Sequence, residues 1–160
     1  MIDSYDSPWM DEELHIMRGA VAKFLQKEFV PNMNKWEKQG FVDRDAWLTA
    51  GKAGLLCASI PEEYGGGGGN FKHEMVLVEE LSYANITGFG NSVHSGIVAH
   101  YVNSYGSEEQ KRKWLPLMAS GEIVSAIAMT EPGTGSDLQS VATTALLEGG
   151  EYVLNGQKTF

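Results

Sequence analysis

Ala126-Ile127-Ala128-Met129-Thr130-Glu131-Pro132-Gly133-Thr134-Gly135-Ser136-Asp137 is the stretch from which the rest of the chain is read. From Ile123 to Thr130 the residues are short and apolar, with neither Gly nor Pro, as in a buried strand. Glu131-Pro132-Gly133 stops that strand, because Pro fixes φ and Gly supplies φ > 0. Thr134-Gly135-Ser136-Asp137 then gathers two hydroxyls, a carboxylate and free backbone N–H groups. Successive N–H groups in such a turn form a concave nest for an anion, and Gly135, without a Cβ, lets a ligand approach its backbone. On turn chemistry alone the same residues also make an ordinary Gly-containing β-turn ending in an Asx-turn. The glycine spacing fits neither a P-loop nor a Rossmann turn.

Four pieces of the chain resemble, in the same order, the acyl-CoA dehydrogenase family. They are Pro61-Glu62-Glu63-Tyr64-Gly65-Gly66, Gly106-Ser107-Glu108-Glu109-Gln110-Lys111, Ala128 to Asp137, and Tyr152-Val153-Leu154-Asn155-Gly156-Gln157-Lys158. The resemblance runs from about Leu14 to Phe160, and His94-Ser95-Gly96-Ile97-Val98 is most similar to the long-chain branch of that family.

Composition narrows the classes independently. The 160 residues are 42% hydrophobic, enough for a packed core. The formal net charge of −9 argues against nucleic-acid binding, which calls for a basic patch. The one cysteine, Cys57, lies in an apolar run and reads as a small core residue, so no internal disulfide is expected. No secretory h-region is visible, and no run reaches the ~20 apolar residues of a membrane span. A cytoplasmic setting is the simplest expectation.

Helical signals fill the first three quarters. Ser7-Pro8 suits an N-cap and first turn, and Leu14, Met17, Val21, Phe24 and Leu25 make one apolar face of a helix expected to end before Pro31. A second helix is expected from Pro31 to Gln39 with Gly40 as its stop, and a third after Asp43 ending at Gly54. Gly65 to Gly69 reads as a flexible surface loop, since a phosphate loop would need a following Lys-Ser/Thr. Asn70 caps a helix from Phe71 to Tyr83 with Met75, Val78 and Leu81 inward, and Glu79 and Glu80 solvated. Val93, Ile97, Tyr101 and Tyr105 mark another apolar stripe. Ser107 to Gln110 is a capping box, and Pro116 is expected to kink or split the helix that follows.

After Gly121 the pattern switches. Ile123 to Thr130, Val141 to Glu148, Glu151 to Asn155 and Gln157 to Phe160 read as strands, with Gly149-Gly150 and Asn155-Gly156 as hairpin signals. The expected domains are therefore 1–122, all helical, and 123–160, the opening of a β-domain. The class is mainly α. The resemblance makes these an N-terminal helical bundle and the start of a β-barrel, and the chain a fragment of a longer protein.

What the resemblance implies about chemistry is specific. Such enzymes oxidise fatty acyl-CoA to trans-2-enoyl-CoA: a carboxylate takes the α-proton and FAD takes the β-hydride. By position, Ile127, Met129, Thr130, Gly135, Ser136 and Phe160 are the expected FAD contacts, and Ser136, His94 and Ser95 the expected substrate contacts. Ile127 stands where some members carry an aromatic, and Thr134 where Ala is commoner. The catalytic Glu of the family falls beyond Phe160, so no catalytic residue is assigned within this chain. A homotetramer and electron-transferring flavoprotein as redox partner are implied as well. His94 and His100 lack the i, i+4 spacing of a helical metal pair, and no metal site is expected. An acyl-CoA oxidase or flavin monooxygenase of the same architecture, and a non-enzymatic helical interaction module, remain as other readings of the same residues.

Overall fold

The computed structural model describes residues 7–160. The start of the chain, residues 1–6, where a signal segment would begin, lies outside them. The chain forms two compact units, one ending at Ser125 and the other running from Ala126 to Phe160. The first reaches past residue 122 because Ile123 N–H donates to Leu117 O at 2.9 Å and Ser125 N–H to His94 Nδ1 at 3.1 Å.

The helical unit opens with α1 (Glu12–Phe24), capped by the Asp11 carboxylate, which accepts from Leu14 N–H at 3.0 Å. Ser7-Pro8 makes only a turn, with Met10 N–H donating to Ser7 O. A carboxylate beside two further acids at a helix N-terminus satisfies more of the exposed donors and dipole than Ser7 does. The chain does not break at Pro31. It continues through a π turn (Leu25–Phe29) and a 3₁₀ turn (Val30–Asn32) into α2 (Met33–Gln39). Pro31 sits in the first turn of the 3₁₀ segment, where its missing N–H costs little. Gly40, at φ 81°, ends α2 as expected, and α3 (Arg44–Lys52) follows.

The expected apolar faces are displaced on two helices. In α4 (Phe71–Tyr83) the buried residues are Glu74, Val76, Leu77, Glu80 and Leu81, so the inward stripe is turned relative to Met75 and Val78. Glu80 is buried rather than solvated, and Arg18 lies 3.6 Å from its carboxylate and 2.7 Å from that of Glu79. Asn91 to Tyr105 is one helical run: α5 (Asn91–Val93), a π turn (His94–Val98) and α6 (Ala99–Tyr105). Its buried side is Asn91, His94, Ser95 and Ala99, while Ile97, Tyr101 and Tyr105 face outward. Polar residues are tolerated inside because each finds a partner there. In α7 (Glu108–Ala119) the Ser107–Gln110 capping box forms, and the helix runs unbroken through Pro116.

Phe29 centres one core cluster, with edge-on rings of Phe24, Trp36 and Phe89 at 5.3, 5.2 and 4.9 Å. Cys57, Ile60, Tyr64, Ala99, Leu115 and Met118 belong to a second. Gly65 to Gly69 is not a flexible loop. Gly67, Gly68 and Gly69 N–H groups donate to the carbonyls of Cys57, Ile60 and Ala58 at 2.9–3.1 Å. A Cβ on Gly66 would stand 2.2 Å from Ile60 O, so glycine is needed here for close approach.

The second unit holds a single antiparallel hairpin among the described residues, β1 (Thr144–Glu148) with β2 (Glu151–Asn155), in the register Leu146↔Val153. Gly149 and Gly150, at φ 60° and 90°, make its turn as the sequence predicts. The strand expected from Val141 begins only at Thr144, because Ala142 and Thr143 N–H groups donate to the Glu131 carboxylate instead of a ladder. Ile123–Thr130 and Gln157–Phe160 are not strands. Their one mutual backbone bond is Thr159 N–H to Thr130 O at 2.9 Å, and Asn155-Gly156 makes no hairpin. Among the described residues no helix is long and apolar enough to cross a membrane, and no group of three or more His, Cys, Asp or Glu could hold a metal.

Candidate functional site

The loop of the second unit is organised by Glu131. Its carboxylate accepts from Ala142 N–H at 2.8 Å, Thr143 N–H at 3.0 Å and Lys158 Nζ at 2.9 Å, and the residue is 6% exposed. Thr143, the Ala142 N–H and the Lys158 ammonium hold the Glu131 carboxyl at about 2, far below its ordinary 4.5. Its backbone bridges to Thr134 through two 3.0 Å bonds, and the buried Thr134 hydroxyl donates to Ser140 O at 2.8 Å. Glu131 and Thr134 thus close the loop internally. Opposite charges at Glu131 and Lys158 are visible in the sequence, but nothing local pairs residues so far apart.

What remains outward is the set expected to meet a ligand. Met129 is 41% exposed, Gly135 and Ser136 are exposed, Ile127 and Thr130 are half-buried, and Phe160 is 94% exposed. Neither Gly133 nor Gly135 adopts φ > 0, contrary to the turn reading, and a Cβ on either would meet no atom within 4 Å. From Ala126 to Thr130 the backbone N–H groups donate to nothing among the described residues. The carbonyls of Met129 and Thr130 are already taken, by Lys158 Nζ at 3.0 Å and Thr159 N–H at 2.9 Å. The segment therefore presents five free donors, the carbonyls of Ala126, Ile127 and Ala128, and the Thr130 hydroxyl. Unpaired donors of this kind go to water, to a strand or to a ligand that develops negative charge. Such a donor edge and open glycine face fit the pyrimidine edge and phosphates of a flavin dinucleotide.

His94 and Ser95 do not behave as the expected substrate contacts. Both are 0% exposed in the helical unit. Ser95 Oγ accepts from Cys57 N–H at 2.8 Å and donates to Asn91 Oδ1 at 2.6 Å. His94 Nε2 lies 3.0 Å from Met118 O, while Nδ1 accepts from Ser125 N–H at 3.1 Å. Burial holds the His94 imidazole below its ordinary 6.5, toward the neutral form. The gain of internal partners explains why these polar residues point inward.

Two further polar clusters look catalytic by composition. Ser59 Oγ donates to Glu74 Oε1 at 2.9 Å and lies 2.9 Å from His100 Nε2. Since the one hydroxyl proton goes to Glu74, His100 must donate, and Ser59 is not an activated nucleophile. Burial raises the Glu80 carboxyl, opposed by Arg18. Glu74, Glu80 and Glu131 are each committed to internal partners.

Residues 11–122 match the family described as acyl-CoA dehydrogenase, N-terminal domain, and residues 126–160 that described as acyl-CoA dehydrogenase, middle domain. Long-chain specific acyl-CoA dehydrogenase, mitochondrial, of Sus scrofa is 49% identical over 148 residues, covering 92% of this chain and 34% of that protein. The crystal structure of acyl-CoA dehydrogenase from Geobacillus kaustophilus is similar at a TM-score of 0.89 and 46% identity, over 97% of this chain and 41% of that one. That of acyl-CoA dehydrogenase complexed with FAD from Bacillus anthracis has a TM-score of 0.85 at 37% identity, over 98% and 28%. The chain spans about a third of the length of the long-chain relative it matches, at 34%.

Proposed function

Because the chain belongs to the acyl-CoA dehydrogenase family, we propose that it forms the helical domain and first flavin-contacting segment of an FAD-dependent enzyme that oxidises long-chain acyl-CoA to trans-2-enoyl-CoA in fatty-acid β-oxidation. The observation that carries this reading is the run of uncommitted N–H donors from Ala126 to Thr130, beside an open glycine face at Gly135. When bound, FAD supplies the acceptor for the hydride that leaves Cβ.

The roles of the residues follow from what each has free. Met129 and Thr130 offer backbone N–H groups and one hydroxyl to the pyrimidine edge, where negative charge builds. Gly135 and Ser136 face the phosphates, and Ser136 also reaches the thioester arm of the substrate. Ile127 and Phe160 supply apolar contact to the ring. Glu131 does no chemistry on substrate; with its carboxyl at about 2 it stays ionised and holds the loop. The base for the α-proton belongs to a part of the whole protein outside this chain, in keeping with the internal commitments of Glu74, Glu80 and Glu131. Electrons pass onward to electron-transferring flavoprotein, and the whole protein is a homotetramer.

The test is spectroscopic. The whole protein should purify with a flavin absorption band that bleaches anaerobically on adding palmitoyl-CoA, and more slowly with octanoyl-CoA. A protein without flavin, or a flavin that no acyl-CoA bleaches, overturns the reading.

A further inference from the structure

The hydrogen bonds of His94 fit a neutral ring that carries its proton on Nε2. A carbonyl only accepts, so the nitrogen 3.0 Å from Met118 O, Nε2, carries a proton. A backbone N–H only donates, so Nδ1, 3.1 Å from Ser125 N, carries none. The ring is a neutral Nε2–H tautomer, 0% exposed, edge-on to Trp47 at 5.2 Å. The Ser125 hydroxyl, 3.0 Å from the same Nδ1, shares that acceptor. Ser125 is also the last residue whose N–H is committed before the free run from Ala126 to Thr130. The other end of that run is closed by the Glu131–Thr134 bridge.

We propose that His94 is a positioning residue for the flavin-contacting segment: its unprotonated Nδ1 anchors Ser125 and so fixes where the row of free donors begins. This rests on the flavin reading above. Protonating Nδ1 would set an N–H against the Ser125 N–H and break that backbone bond, leaving only the Ser125 hydroxyl to accept from the ring. The charged groups that act on the ring are Glu74 from α4, favouring the proton, and Arg44 from α3, opposing it. The anchor is therefore present at neutral pH and is lost as pH falls below the ordinary histidine value of 6.5.

Asn and Gln separate the two halves of the joint. The amide of Asn reaches the Nδ1 position and can accept from Ser125, whereas that of Gln reaches Nε2 and serves Met118 alone. In the whole protein, His94→Gln should raise the flavin dissociation constant roughly tenfold, for one lost hydrogen bond at an organised site. His94→Asn should stay within about threefold of the parent and lose the weakening of flavin binding that the parent shows as pH falls below 6.5. Equal effects of Gln and Asn, or no effect of either while Ser136→Ala still weakens flavin, would overturn the anchor and leave the flavin reading standing. If the parent itself binds no flavin, the flavin reading fails and the anchor with it. Should both His94 variants unfold, the parent alone decides: flavin affinity that stays flat from neutral pH down to the lowest pH at which the protein remains folded overturns the proposal.

Discussion

A Cβ at Gly135 would meet no protein atom within 4 Å, and its φ lies outside the left-handed region. Nothing in the protein itself asks for glycine there. Gly135→Ala should therefore leave the melting temperature unchanged or slightly raised, since it restricts only the unfolded chain, by about 0.4–1 kcal/mol. On the proposed reading flavin content at purification should nevertheless fall, because the methyl would occupy the space assigned to the ligand. Equal flavin content in mutant and parent would remove Gly135 from the site. Glu131 shows the opposite relation, with every oxygen committed inside the unit. Its carboxyl is lowered from 4.5 to about 2, so its contribution to stability is complete above about 4.5 and is lost as pH falls toward 2. The Glu131 carboxyl carbon followed by NMR should titrate near 2, and Lys158→Met should move that midpoint upward. A midpoint near 4.5 in the parent would show that the three donors do not hold it.

At the scale of elements, Asp43 precedes α3 without capping it through its side chain. Its carboxylate turns back to α2, accepting from Lys35 Nζ, and from Trp36 Nε1 and Gln39 Nε2 at 3.0 Å each. Lys35 first, then Gln39 and Trp36, lower its carboxyl from 3.8 to about 2. The pair of helices is thus stapled above about pH 4, and the staple opens as pH falls through that interval. Melting temperatures of the parent and Asp43→Asn should differ most near neutrality and converge toward pH 2. A constant gap would assign the effect to packing. Helix existence and most helix ends were legible in the sequence, because Gly40, Asn70 and Ser107 act through neighbours three or four residues away. Helix faces were less so. The stripe Val93, Ile97, Tyr101, Tyr105 is apolar by composition, yet His94 and Ser95 lie inside, since their partners Met118, Ser125 and Cys57 come from distant parts of the chain.

For the molecule as a whole, the switch from helical to extended patterning after Gly121 was readable, and so was the Gly149-Gly150 hairpin. The edges around it were not. Val141 to Thr143 read as strand by residue type, but Glu131 claims their N–H groups, a pairing that no local pattern encodes. The residues proposed to face flavin came from resemblance to a family; spacing alone favoured a plain turn. The hairpin also exposes apolar residues on both faces: Leu146 and Val153 on one, Leu147, Tyr152 and Leu154 on the other. Produced as this chain alone, the protein should self-associate through them. Leu147→Lys with Leu154→Lys should shift its elution in gel filtration toward the monomer; unchanged elution would locate the association elsewhere.

The glycine run bears on how such a protein is engineered. Gly65 to Gly69 looks like a natural linker, the kind of place chosen for an epitope tag or a cleavage sequence. Its amides are instead stitched to Cys57, Ala58 and Ile60, and a Cβ on Gly66 would sit 2.2 Å from a carbonyl oxygen. A tag inserted there would unseat the connector under α7, whose Pro116 Cα lies 3.2 Å from where a Gly65 Cβ would be. The tolerant site is the β1–β2 turn, where Gly149 and Gly150 have nothing within 4 Å.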